Sequence, residues 1–147
     1  MDSLRPKVFN SNTMIRDIDL SDITYDHVQG LLALIPEPVE TYSKHMVLED
    51  KETDRIVYLI KWAPNQMSGA HDHPELGCLL KVLCGKLIEI SYNEENPEGI
   101  KRFLKKGDTS YQVGKKGIHN IINSNNSAIT LHIYSSISYK PTFIDLN

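Results

Sequence analysis

Beyond residue 41 the chain breaks into short runs of β-formers separated by turn formers, at intervals of roughly 8–12 residues, and few folds accept that rhythm. Runs at 42–48, 55–63, 101–104, 109–113, 119–123 and 128–135 read as strands. A longer apolar stretch, 78–92, is broken at Gly85, which predicts a hairpin or a sharp bend there. Glu49-Asp50-Lys51-Glu52 and the polar segment 93–99 supply turns. The pattern predicts a mainly β sandwich or closed barrel. Ahead of it, 22–35 carries apolar residues near helical spacing, with Ser21 placed as N-cap and Pro36 and Pro38 as stops. The expected organisation is one barrel over 41–140 with an N-terminal helical flap over 1–40.

With 147 residues, 40% of them hydrophobic, the chain has material for one domain with a real core and too little for two of ordinary size. Its net charge of -3, from 16 basic and 19 acidic residues, includes no long run of either sign. This argues against a nucleic-acid or anionic-membrane surface. No stretch is apolar enough to span a membrane, and residues 1–6 lack a signal-peptide core. Cys78 and Cys84 make no disulfide framework; their even spacing would put both on one strand face. A monomer in the reducing cytoplasm is expected.

The chemistry concentrates at His71-Asp72-His73, followed by Cys78, with His119 downstream. On an extended segment an HxH pair presents both imidazoles on one face and turns Asp72 to the other. Two convergent imidazoles and a third from elsewhere form a facial metal site with open coordination positions. Glu75 lies near in sequence, so a hydrolytic zinc site is one alternative, and a non-enzymatic metal-binding barrel is another. Taken singly, Cys78 also fits an inert buried thiol, His132 a core histidine and Lys44 a solvated edge lysine. Cys84, Trp62 and Tyr111 read as packing.

Gly69-Ala70-His71-Asp72-His73, closing at Gly85, and the segment from Gly107-Asp108 to Gly117-Ile118-His119 and Asn123 resemble the two motifs of the cupin superfamily. That resemblance implies a double-stranded β-helix, or jelly roll. Cys78 stands where most metal-binding cupins place a glutamate ligand. Together with Cys78-Leu79-Leu80-Lys81 and Thr130-Leu131-His132-Ile133-Tyr134-Ser135, the pattern over roughly 40–136 resembles the cysteine dioxygenase family. The resemblance implies that His71, His73 and His119 hold iron(II), and that Cys78 and Tyr134 correspond to a pair joined in some members by a thioether. It also implies that His132 orients the Tyr134 hydroxyl, and that Tyr42, Lys44 and Thr130 form the substrate-binding side. Thr130, His132 and Tyr134 share one strand face by period alone.

Two departures stand out. The family's Tyr-x-Arg reads Tyr42-Ser43-Lys44, which keeps a positive charge and loses the bidentate fork. Ser136 replaces a family proline. The expected reaction is oxidation of L-cysteine by O2 to cysteine sulfinate, with 3-mercaptopropionate or another small thiol as the alternative substrate.

Overall fold

The computed structural model describes residues 28–38 and 41–145. Their strands are β1 (Tyr42–Asp50), β2 (Arg55–Trp62), β3 (Gln66–Met67), β4 (Cys78–Cys84), β5 (Lys86–Tyr92), β6 (Ile100–Lys105), β7 (Thr109–Gln112), β8 (Ile118–Asn123) and β9 (Ala128–Ser135). They build two antiparallel sheets, one in the order β1-β2-β9-β4-β7 and one in the order β3-β8-β5-β6. This is the expected mainly β jelly roll. The two-residue β3 is the strand that carries no sequence signal.

The period-2 pattern decides what each face does. On the five-stranded sheet Ile60, Trp62, Leu80, Val82 and Ala128 point inward, where they meet Leu87, Leu104 and Ile121 of the other sheet. Each fully buried side chain of this size contributes about 1.5–3 kcal/mol by leaving water. The opposite, outer face is also apolar: Val57, Leu59, Leu79, Leu83, Ile129, Leu131 and Ile133 pack beneath Val28, Leu31, Leu32 and Ile35. The described part of the N-terminal segment therefore lies against the outside of this sheet.

That segment departs from the helix expected over 22–35. Gln29–Leu34 winds as a 3-10 helix, and the Ile35 N–H closes on Leu32 O. Ile35 is extended, with ψ 121, the conformation that a following proline imposes. The Ser21 cap lies outside the described residues.

Gly85 makes a bend and not a hairpin. β4 and β5 do not pair with each other; they belong to different sheets, and the chain crosses between them at this residue. Gly85 has φ +82, and a Cβ there would sit 2.3 Å from Ser127 O, so glycine is required on both counts.

One residue before the bend, the β4–β9 register slips between Val82 and Cys84, which pair with Thr130 and Ile129. An extra residue in one strand reverses the in–out phase beyond it. Cys78 consequently stays on the inner face, whereas Cys84 packs with the outer cluster. The shared face expected from even spacing is lost. Among the described residues no helix is long and apolar enough to cross a membrane.

Candidate functional site

His71, His73 and His119 come together, each offering one ring nitrogen within 4.8 Å of the others. His71 is joined to His119 by a reciprocal pair of backbone hydrogen bonds, 3.0 and 3.2 Å. The segment carrying His71-Asp72-His73 thus runs as a short extension alongside β8. Asp72, as expected, turns away. Its Oδ1 accepts from Thr142 N at 2.8 Å and from the Tyr139 hydroxyl.

Every one of the three rings has its Nδ1 committed. His71 Nδ1 meets Gly69 O at 2.8 Å, His73 Nδ1 meets Gly117 O at 2.6 Å, and His119 Nδ1 meets Glu89 Oε2 at 2.8 Å. Acceptors at all three Nδ1 atoms demand protons there, which leaves each neutral ring with a bare lone pair on Nε2. His73 Nε2 and His119 Nε2 then face each other at 3.0 Å as two acceptors with no proton between them. A cation is the group that such a donor set lacks, so the residues fit a metal ion. Burial, and after it the repulsion that a proton on His119 would exert, pulls His71 down to about 4 and His73 down to about 3. Both are neutral, metal-ready ligands at ordinary pH.

A second line of polar groups runs along the inner face of β9. Trp62 Nε1 donates to Thr130 Oγ1 at 2.9 Å, and Thr130 Oγ1 lies 2.6 Å from His132 Nε2. His132 Nδ1 lies 3.4 Å from the Tyr134 hydroxyl, a long contact, and Tyr134 hydrogen-bonds Cys78. β-pairing explains the last contact, since Cys78 and Tyr134 are direct partners in the ladder. Burial first, then the repulsion that protons on the three clustered histidines would exert, and last the charge of Lys44, holds His132 well below the ordinary histidine value. A neutral His132 has one proton. If Tyr134 donates to Cys78, that proton sits on Nδ1 and Thr130 donates to Nε2, so every hydrogen bond runs one way from Trp62 to Cys78. Burial raises both the Cys78 thiol and the Tyr134 phenol above their usual values, so both are protonated.

Thr130, expected on the substrate side, has 0% exposure, and its hydroxyl is taken by Trp62 and His132. Its contacts are those of a residue that positions His132. Tyr42 and Lys44 do face a cavity of about 60 Å³, shared with Tyr58, Tyr134, Ser136 and Tyr139. Larger hollows exist, such as one of about 670 Å³ over Tyr92, Glu94 and Lys116, but it contains none of these side chains. The small cavity has room for a few water molecules or a carboxylate. Lys44 Nζ lies 4.5 Å from the centroid of the Tyr58 ring, a cation–π contact, and Tyr58 packs edge-on to Tyr134 at 6.0 Å. Tyr42 packs on Trp62 at 5.1 Å.

Two residues of this site, Glu89 and Tyr58, are absent from the sequence reading. Glu89 did leave a signal: a carboxylate in Leu87-Ile88-Glu89-Ile90 at the inward register of an apolar strand. Tyr58 looks like an ordinary strand aromatic until the β1–β2 register sets Lys44 near it.

A family model described as cysteine dioxygenase type I matches residues 39–141. Cysteine dioxygenase type 1 of Bos taurus is 28% identical over 102 residues, covering 64% of this chain and 50% of that protein, so the chain spans half the length of this curated relative. Among solved structures, a cupin-like protein from Thermotoga maritima superposes with a TM-score of 0.58 at 19% identity, over 72% of this chain and 77% of that one. An oxalate oxidase gives 0.61 at 16% identity, over 77% of this chain and 61% of its own. At such identities these two likenesses speak to the cupin fold alone.

Proposed function

Because this chain belongs to the cysteine dioxygenase type I family, we propose that it is an iron(II)-dependent thiol dioxygenase that turns L-cysteine and O2 into cysteine sulfinate. The observation that carries the reading is the cluster of three imidazoles with no carboxylate among them, in one barrel with a paired Cys78 and Tyr134. Three neutral ligands leave a divalent ion its full charge and open positions, which favours an anionic, chelating substrate. When bound, iron(II) supplies the redox chemistry that joins O2 to a thiolate.

The protein's own part is orientation and exclusion. His71, His73 and His119 hold the ion with Nε2 lone pairs aimed by their Nδ1 partners. Lys44 meets the substrate carboxylate as a point charge, with Tyr42 beside it. The Tyr134 hydroxyl, kept protonated by burial and steered by His132, turns its one proton from Cys78 to the bound thiol group when substrate is present. In this reading Cys78 and Tyr134 are the pair that joins as a thioether, the O2 of the reaction taking the one hydrogen that the thiol and the one that the ring carbon give up. Residues 41–140 act as one catalytic unit, and the protein works as a monomer. This reading goes with a reducing, cytoplasmic setting, in which Cys84 stays a free thiol.

A second substrate, 3-mercaptopropionate, is favoured by one observation: a lysine resting on an aromatic ring binds any carboxylate and has no fork to demand the amino-acid geometry. Oxygen uptake by iron(II)-loaded protein with L-cysteine, 3-mercaptopropionate and cysteamine, with sulfinate counted, tests the proposal. One O2 consumed per cysteine sulfinate supports it. Preference for 3-mercaptopropionate keeps the reaction and changes the substrate. No uptake from any thiol at full iron loading would leave a metal-binding cupin without this activity.

A further inference from the structure

Glu89 is buried, with 3% exposure, on the inner face of β5. In the β5–β8 ladder Glu89 pairs with Ile121 and Ser91 with His119, which makes Glu89 and His119 diagonal neighbours on the same face. The carboxylate Oε2 accepts from His119 Nδ1 at 2.8 Å and from the Ser110 hydroxyl, which reaches across from β7 in the other sheet. Its second oxygen faces Arg102 Nε at 3.8 Å. Gly69 O and Gly117 O orient His71 and His73 without adding a charge. Glu89 alone among these three acceptors is an acid.

A carboxylate is expensive to bury, and apolar residues fill the neighbouring inward positions Leu87 and Ile121. Packing therefore gives no reason for an acid here. The ligand set does give one. Cys78 occupies the place where a ligating glutamate would bring a negative charge, and the three imidazoles bring none. Glu89 returns that charge one hydrogen bond further out, on the far side of His119.

We propose that Glu89 is the outer carboxylate of the metal centre: it fixes His119 with Nε2 toward the ion and lowers the effective charge of the site without taking a coordination position from the substrate. The inference rests on the three-histidine reading above. Ser110 holds the carboxylate in place, and Arg102 sets its solvent-side boundary.

The test is anaerobic Fe(II) titration of the full chain against a chromophoric chelator, with the Fe(III)/Fe(II) potential measured on the loaded protein. Glu89→Gln keeps an acceptor for His119 and removes the charge. It is expected to bind Fe(II) about 10–100-fold more weakly and to shift the potential upward, because the oxidised ion loses more from the missing charge. A folded Glu89→Gln with affinity within about twofold of the unsubstituted protein and an unmoved potential overturns the proposal, leaving Glu89 a structural acid that moves only the melting temperature. Should Glu89→Gln not fold, Glu89→Asp is read in the same titration, since it keeps the charge but withdraws it from Nδ1. Weaker binding supports the proposal and equal binding overturns it. If the unsubstituted protein takes up no Fe(II), the three-histidine reading falls and takes this inference with it; if it binds and the Glu89 variants bind equally, only the role of Glu89 falls.

Discussion

The histidine cluster and the polar line from Trp62 to Cys78 both aim ring nitrogens in a buried place, but they are held by different means. The cluster draws its members from segments far apart in the chain and pins each Nδ1 with a separate acceptor, two of them loop carbonyls. The polar line sits on three adjacent strands of one sheet, β2, β9 and β4, and its order is set by ladder register and period 2. The cluster is accordingly sensitive to what orients each ring. The line is sensitive to any break in hydrogen-bond continuity, because its interior members have no water to replace a lost partner.

Substitutions should separate the two. The largest effect is expected from His119→Ala, which removes a ligand and the partner of Glu89 and should abolish stoichiometric metal loading. Metal content after desalting checks this, and full retention would take His119 out of the ligand set. Tyr134→Phe breaks the line and leaves the cluster whole, so bound iron should be unchanged while thiol turnover slows by roughly ten- to a hundredfold. An unaltered rate would reduce Tyr134 to packing. Thr130→Val keeps the volume of a fully buried residue but strands Trp62 Nε1 and His132 Nε2, at a cost of about 1–3 kcal/mol in stability with metal content unchanged. Thermal unfolding of the metal-free form reads that loss.

The cluster also carries a pH signature that the line shares only through His132. His71 and His73 titrate near 4 and 3 in the fold, below the ordinary histidine value of 6.5, so the unfolded chain binds protons first as pH falls. Metal-free stability should therefore be complete above pH 6.5 and decline progressively toward pH 4 and below. A flat melting temperature between about pH 7 and 4.5 would contradict neutral, buried ligands. The smallest effect belongs to the exposed Lys44. Lys44→Met should raise KM for carboxylate-bearing thiols by roughly three- to fivefold, the scale of an exposed charge contact, and leave cysteamine unaffected. Equal changes for both substrates would free Lys44 of any carboxylate role.

Much of this could be read from the chain before any coordinates, because it depends on local period. Ala128–Ser135 was legible to its ends, and with it the shared face of Thr130, His132 and Tyr134. The HxH geometry was equally local. What stayed hidden depends on long-range pairing. Whether Gly85 closes a hairpin or passes the chain to the other sheet is decided by strands tens of residues away. The slip between Val82 and Cys84, which turns Cys84 outward, exists only in the pairing with β9. Glu89 could be noticed as an acid in an apolar strand, but its meaning required knowing that β5 lies beside His119. The substrate-side role of Thr130 comes from the family resemblance and not from period; its full burial and its contacts with Trp62 and His132 are properties of the closed barrel.

Asp72 has a consequence for how the site comes into being. It lies between two histidines of the cluster, and its carboxylate is held by a backbone N–H seventy residues further along the chain. His71 itself bridges to both His119 and Phe143. During synthesis, then, the first two histidines emerge long before the strand that gives the third and the segment that clasps Asp72. A chain that ends before His119 has two of the three imidazoles and no clasp on Asp72, so the cluster is completed only by the folded barrel and not by the HxH segment alone.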